Sequence, residues 1–170
     1  MDKKQTLEIY KKNLEVNGKD KLSRWLYSEC LELASALVAI DLHPTPGHLK
    51  EVHEEIADVK ILLEQYFIFH EIEETYKSIN LDIPIGDNSQ MANLFATHGY
   101  FIKHVLNYPA AQMVLKALDE LECDKYASPE IMKTYDFKIK RLAKRLQNGF
   151  FSGCNNESLG DFLKWEKEEE

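Results

Sequence analysis

Four carboxylates have the types and the spacing to do chemistry together. Glu29 and Glu32 stand three residues apart, and so do Glu55 and Asp58. On a helix, residues three apart share a face, with Cβ atoms about 5–6 Å from each other, so each pair can converge on one ion or one small ion cluster. Carboxylates gathered this closely repel one another, and a divalent cation relieves the repulsion. A donor set made only of oxygen suits Mg2+, with Mn2+ as a substitute, better than zinc or copper. The competing account is ordinary surface acids in a chain with 29 Asp and Glu residues, where Lys21, Arg24 and Lys60 are near enough to pair with some of them.

The elements that must position these residues read as helices. Leu22, Leu26, Glu29, Leu33, Leu37 and Ile40 follow at steps of three or four, which predicts a helix over 20–42 with Glu29 inside its apolar stripe. A carboxylate in such a seam is costly unless it is paired or bound to metal. His43-Pro44-Thr45-Pro46-Gly47 breaks the pattern. Val52, Ile56, Val59, Leu63, Tyr66 and His70 then predict a helix from about 48 to 78, with Glu55 at the edge of its stripe. Two long helices joined by so short a loop are expected to lie antiparallel, which brings the two acidic pairs to neighbouring faces.

The remaining pattern is also helical. A polar helix is expected over 2–16, ended at Asn17-Gly18, and further helices over 89–107 and 109–122. Ser128-Pro129 opens a last long helix, to Gln147, whose stripe is Ile131, Tyr135, Ile139, Leu142 and Leu146. Residues 80–88 and 150–153 read as loops, Leu159–Trp165 as a short amphipathic piece and Glu166–Glu170 as a solvated acidic tail. The expected architecture is an all-α helical bundle, with one domain over 1–150 and a C-terminal extension over 151–170.

Composition narrows the function. A net charge of −8 argues against nucleic acid and against an anionic membrane surface, although nucleotide phosphates can still bind through metal ions. The longest apolar run, near Leu33 to Ile40, is too short to span a bilayer, and the polar start has no apolar signal core. Cys30, Cys123 and Cys154 are odd in number and widely spaced, as expected of reduced thiols in a cytoplasmic protein. A di-iron helical bundle would need Glu three residues before a histidine, and none of the six histidines has one. His43, His48 and His53 cluster around the Pro/Gly loop and read as exposed. No phosphate-binding GxxxxGK[ST] loop exists, and neither Ser28 nor Cys30 has a placed base to make it a nucleophile.

At this point the chain resembles a known family. Ser28-Glu29-Cys30-Leu31-Glu32-Leu33-Ala34, then a gap of 22 residues between Glu32 and Glu55, then Glu54-Glu55-Ile56-Ala57-Asp58-Val59, is similar to the ExxE…ExxD signature of the MazG-like all-α nucleoside triphosphate pyrophosphohydrolases. Phe137-Lys138-Ile139-Lys140-Arg141-Leu142 resembles the basic helix that follows the metal helices in the small phage and bacterial members. The resemblance covers roughly 20–75 and 130–147. It departs over about 80–127, where small members have a few residues and this chain inserts two expected helices.

The resemblance implies Glu29, Glu32, Glu55 and Asp58 as Mg2+ ligands. It implies hydrolysis of a nucleoside triphosphate to the monophosphate and pyrophosphate, with Glu32 or Glu55 as the proton acceptor. It also implies a homodimer or homotetramer. Lys138, Arg141 and Arg145, at steps of three and four, are candidates for the phosphates, although a solvated basic face is the better account of them. Trp25 is a candidate for stacking on the base, against an ordinary core role. Two other functions remain open. One is the same chemistry on phosphoribosyl-ATP, and the other is a non-catalytic helical module that binds nucleotide or metal.

Overall fold

The structure, a computed structural model, describes residues 2–70, 86–104 and 107–149. The chain is all-α: the described residues form six α-helices and one π-helical turn, with no strand. The helices are α1 (Lys3–Asn17), α2 (Lys19–Leu42), α3 (Pro46–Phe69), α4 (Asn88–His104), α5 (Tyr108–Glu120) and α6 (Pro129–Gln147), with the π turn over Leu121–Lys125 between the last two. The helix expected to run to about 78 ends at Phe69, with His70 as its C-cap; residues 71–78, the expected loops at 80–85 and 150–153, the piece at Leu159–Trp165, the acidic tail and Cys154 lie outside the described residues.

Local chemistry sets the boundaries. Asp2 accepts from the Gln5 amide at 2.8 Å while Gln5 Oε1 accepts from the Asp2 amide at 3.3 Å, a reciprocal cap that starts α1. Gly18 ends it at φ +76°, a conformation that favours glycine. Thr45 Oγ1 accepts from the His48 amide at 3.2 Å, and Pro46 takes the first position of α3. The helix therefore begins two residues before the expected His48, because proline at that position has no amide to leave unsatisfied. Asn107 caps α5 through the Ala110 amide at 3.0 Å, and Ser128 caps α6 through the Glu130 amide at 3.2 Å.

The chain divides into two compact units. One comprises residues 19–135 and holds the whole main hydrophobic cluster. Within it α2 is central, with its most extensive packing against α4, then against α3. α5 packs on α4 and on α3. Leu26, Cys30, Leu33 and Leu37 of α2 are fully buried among Val52, Ile56, Val59 and Leu63 of α3 and Phe95 of α4. Burying each such aliphatic or aromatic side chain contributes about 1.5–3 kcal/mol. A Cβ on Gly99 of α4 would come within 2.9 Å of Cys30 Cβ, so α4 approaches α2 at a point where only glycine fits without adjustment.

The second unit comprises residues 1–18 and 136–170, so α6 begins in one unit and ends in the other. In it Tyr10, Asn13, Ile139 and Leu146 are buried. Among the described residues no helix is long and apolar enough to cross a membrane.

Candidate metal centre

The short loop at 43–45 returns the chain so that α3 packs along α2. This brings the acidic pairs together. Glu29 and Glu32 of α2 and Glu55 of α3 each offer one carboxylate oxygen, and those atoms all lie within 4.8 Å of one another. Glu29 and Glu55 are half-buried and Glu32 is exposed. Glu55 Oε2 is shut off from solvent. The site therefore has a buried floor on α3 and an open lip on α2.

Asp58 does not bring an oxygen into that group. It is half-buried and lies three residues beyond Glu55, about 4.5 Å further along the axis of α3. The fold assembles three of the four expected ligands at one point and sets the fourth one turn away on the same helix.

The donor set fits a hard divalent cation. All three groups are carboxylates, and neighbouring ligands of one octahedral Mg2+ at about 2.0–2.1 Å from the ion stand about 3 Å apart, so side-chain adjustments of at most about 2 Å bring the three oxygens to one ion. Ser28 Oγ donates to Glu32 Oε1 at 3.3 Å from one turn earlier on α2, which orients the exposed carboxylate. In the sequence Ser28 is a hydroxyl without a base. Its i, i+4 relation to Glu32 was the available signal for this supporting role.

Lys60, a possible partner of these acids by sequence, turns elsewhere. Its ammonium donates to both oxygens of Glu122 at 2.6 Å. Beneath the site, burial pushes the Cys30 thiol up to about 12, and the neighbouring Glu29 charge adds to the effect. The half-buried Trp25 lies one turn before Glu29, with the Lys21 ammonium 4.8 Å from its ring centroid.

Lys138, Arg141 and Arg145 are half-buried on the part of α6 that belongs to the other unit. His53, expected at the surface, is buried on α3 between the core positions Val52 and Ile56, whereas His43 is exposed and His48 is half-buried. The helix phase decides this: three histidines close in sequence fall on different faces once α3 starts at Pro46. No family model, curated protein or solved structure matches the chain.

Proposed function

We propose that this chain is a Mg2+-dependent nucleoside triphosphate pyrophosphohydrolase of the MazG-like type. The observation that carries the reading is the convergence of Glu29, Glu32 and Glu55 from two helices within 4.8 Å. The ExxE…ExxD resemblance then selects this chemistry among those an acidic centre can support.

Glu29 and Glu55 would hold the ion, because they are half-buried and their positions are set by the packing of α2 on α3. Asp58, one turn further along α3, would be a further carboxylate available to the metal. Bound Mg2+ supplies neutralisation of the phosphate chain and Lewis acidity at the scissile phosphorus. Glu32 is the exposed member and is steadied by Ser28, so it is best placed to accept the proton of the attacking water. Water adds its oxygen to the α phosphorus, its proton passes to Glu32, and the α–β bridging oxygen leaves with pyrophosphate. The nucleoside monophosphate remains, and no covalent enzyme intermediate is required.

The test is pyrophosphate release from a panel of ribo- and deoxyribonucleoside triphosphates, with Mg2+ and with EDTA. Mg2+-dependent release is expected from at least one member. Glu29→Gln and Glu55→Gln are expected to lower it at least about a hundredfold while circular dichroism stays native. Undiminished turnover in both variants, or no release from any member, would overturn the reading.

A further inference from the structure

α4, the helix that the sequence resemblance does not account for, has a consequence for the ligand. Its last turn carries Lys103 and His104. Packing on α2 brings these two residues to Arg24, and the three line both of two adjoining clefts of about 360 and 470 Å3. The first cleft adds Lys19 from the start of α2 and His70 from the end of α3. The second runs along α2 past Tyr27 to Ser28, the residue whose hydroxyl touches Glu32.

The charge of these clefts runs against that of the molecule. The chain carries −8, yet Lys19, Arg24 and Lys103 meet here, and among the described residues Asp20 is the single acid in the lining. None of the three makes a salt bridge to a described carboxylate. The Lys103 ammonium instead stands 4.9 Å from the centroid of the Tyr27 ring, a contact that keeps its full charge. Converging cations repel, and an anion with several oxygens is their natural complement. A guanidinium offers forked donors and an ammonium a point charge, a combination suited to phosphate. Arg24 and Glu32 are eight residues apart, about 12 Å along α2, so an extended chain of phosphates can reach from the cations toward the carboxylates.

We infer that the α2–α4 cleft around Arg24 and Lys103 is the subsite for the phosphate chain of the nucleotide. The identity of the anion rests on the pyrophosphohydrolase reading; the cleft and its charge do not. The cleft also gives the inserted helix a role, since α4 supplies Lys103, one of its three cations.

The experiment titrates the full-length chain with inorganic tripolyphosphate in EDTA by calorimetry. Binding is expected in the wild type. Arg24→Gln and Lys103→Gln should each weaken it at least about tenfold. Lys103→Arg should retain it, and Lys50→Gln, which removes one exposed charge on α3 away from the cleft, should leave it unchanged. Absence of binding in the wild type, or equal binding in Arg24→Gln, Lys103→Gln and Lys50→Gln, would overturn the assignment.

A second arm measures turnover with Mg2+, where Arg24→Gln and Lys103→Gln should raise KM with little change in kcat. If Glu29→Gln abolishes turnover but the two cleft variants keep the wild-type KM, the subsite fails and the proposed function stands. If tripolyphosphate binding depends on Arg24 and Lys103 but no nucleotide releases pyrophosphate, the function fails and the cleft stands as an anion site.

Discussion

Single residues in this chain owe their chemistry to where the helix phase puts them. Cys30 follows Glu29 directly, yet one side chain is fully buried and the other reaches the carboxylate cluster. With its thiol pushed up to about 12, Cys30 has almost no thiolate near neutral pH. Cys123 is exposed. A thiol-directed reagent at pH 8 is therefore expected to label Cys123 in minutes and Cys30 only after unfolding, with peptide mass spectrometry as the readout. Fast labelling of Cys30 in the folded protein would mean that the α2–α4 interface opens. The same neighbouring positions show what spacing can and cannot reveal. Glu29 and Glu32 were legible as a pair because three residues on a helix share a face. The orienting bond from Ser28 and the displacement of Asp58 depended on side-chain placement, which spacing does not report.

At the scale of helices, the larger unit is organised around α2, whose most extensive packing is against α4. Gly99 makes that approach possible. An alanine there would gain about 1 kcal/mol of helix propensity, but its Cβ would sit 2.9 Å from Cys30 Cβ and 3.2 Å from Tyr27 Cδ2. Overpacking of this kind costs about 1–3 kcal/mol, so Gly99→Ala is expected to destabilise by about 1 kcal/mol net in urea denaturation. Cys30→Gly in the same background removes the closest atom and should recover part of the packing loss relative to Cys30→Gly alone. An unchanged midpoint for Gly99→Ala would mean that the interface relaxes freely. On the other side of the unit, the half-buried Lys60–Glu122 pair ties α3 to the π turn, and Tyr135 donates to Glu64 at 2.6 Å to tie α6 to α3. These long-range links join residues 62 and 71 positions apart. Neither could be read from local periodicity.

For the molecule as a whole, two histidines make stability depend on pH. Burial holds His53 below its ordinary value, partly offset by the Glu130 charge and by a bond from the ring to the Tyr126 backbone. Burial and the Lys19 charge hold His70 below its ordinary value as well. Both groups are depressed, so the unfolded chain takes up protons first as pH falls. Stability from these groups is complete above about pH 6.5 and declines as pH drops toward their folded values. The thermal midpoint is expected to be lower at pH 5.5 than at pH 7.5, and the double variant His53→Gln, His70→Gln should flatten that slope. An equal slope in the double variant would assign the dependence to other groups.

What the sequence determined by itself is the all-α class, most helix boundaries and the two acidic pairs. Each of these follows from rules that act within about one or two helical turns: apolar periodicity, capping residues, and proline and glycine at helix ends. The tertiary structure decided the rest. It chose which three of the four carboxylates meet, buried His53, and turned Lys60 toward Glu122. It also placed Lys103 of α4 beside Arg24 of α2, residues 79 positions apart in the chain. Such meetings depend on how helices cross and on which small residue, here Gly99, lets them approach, and the local pattern of neither helix contains that information.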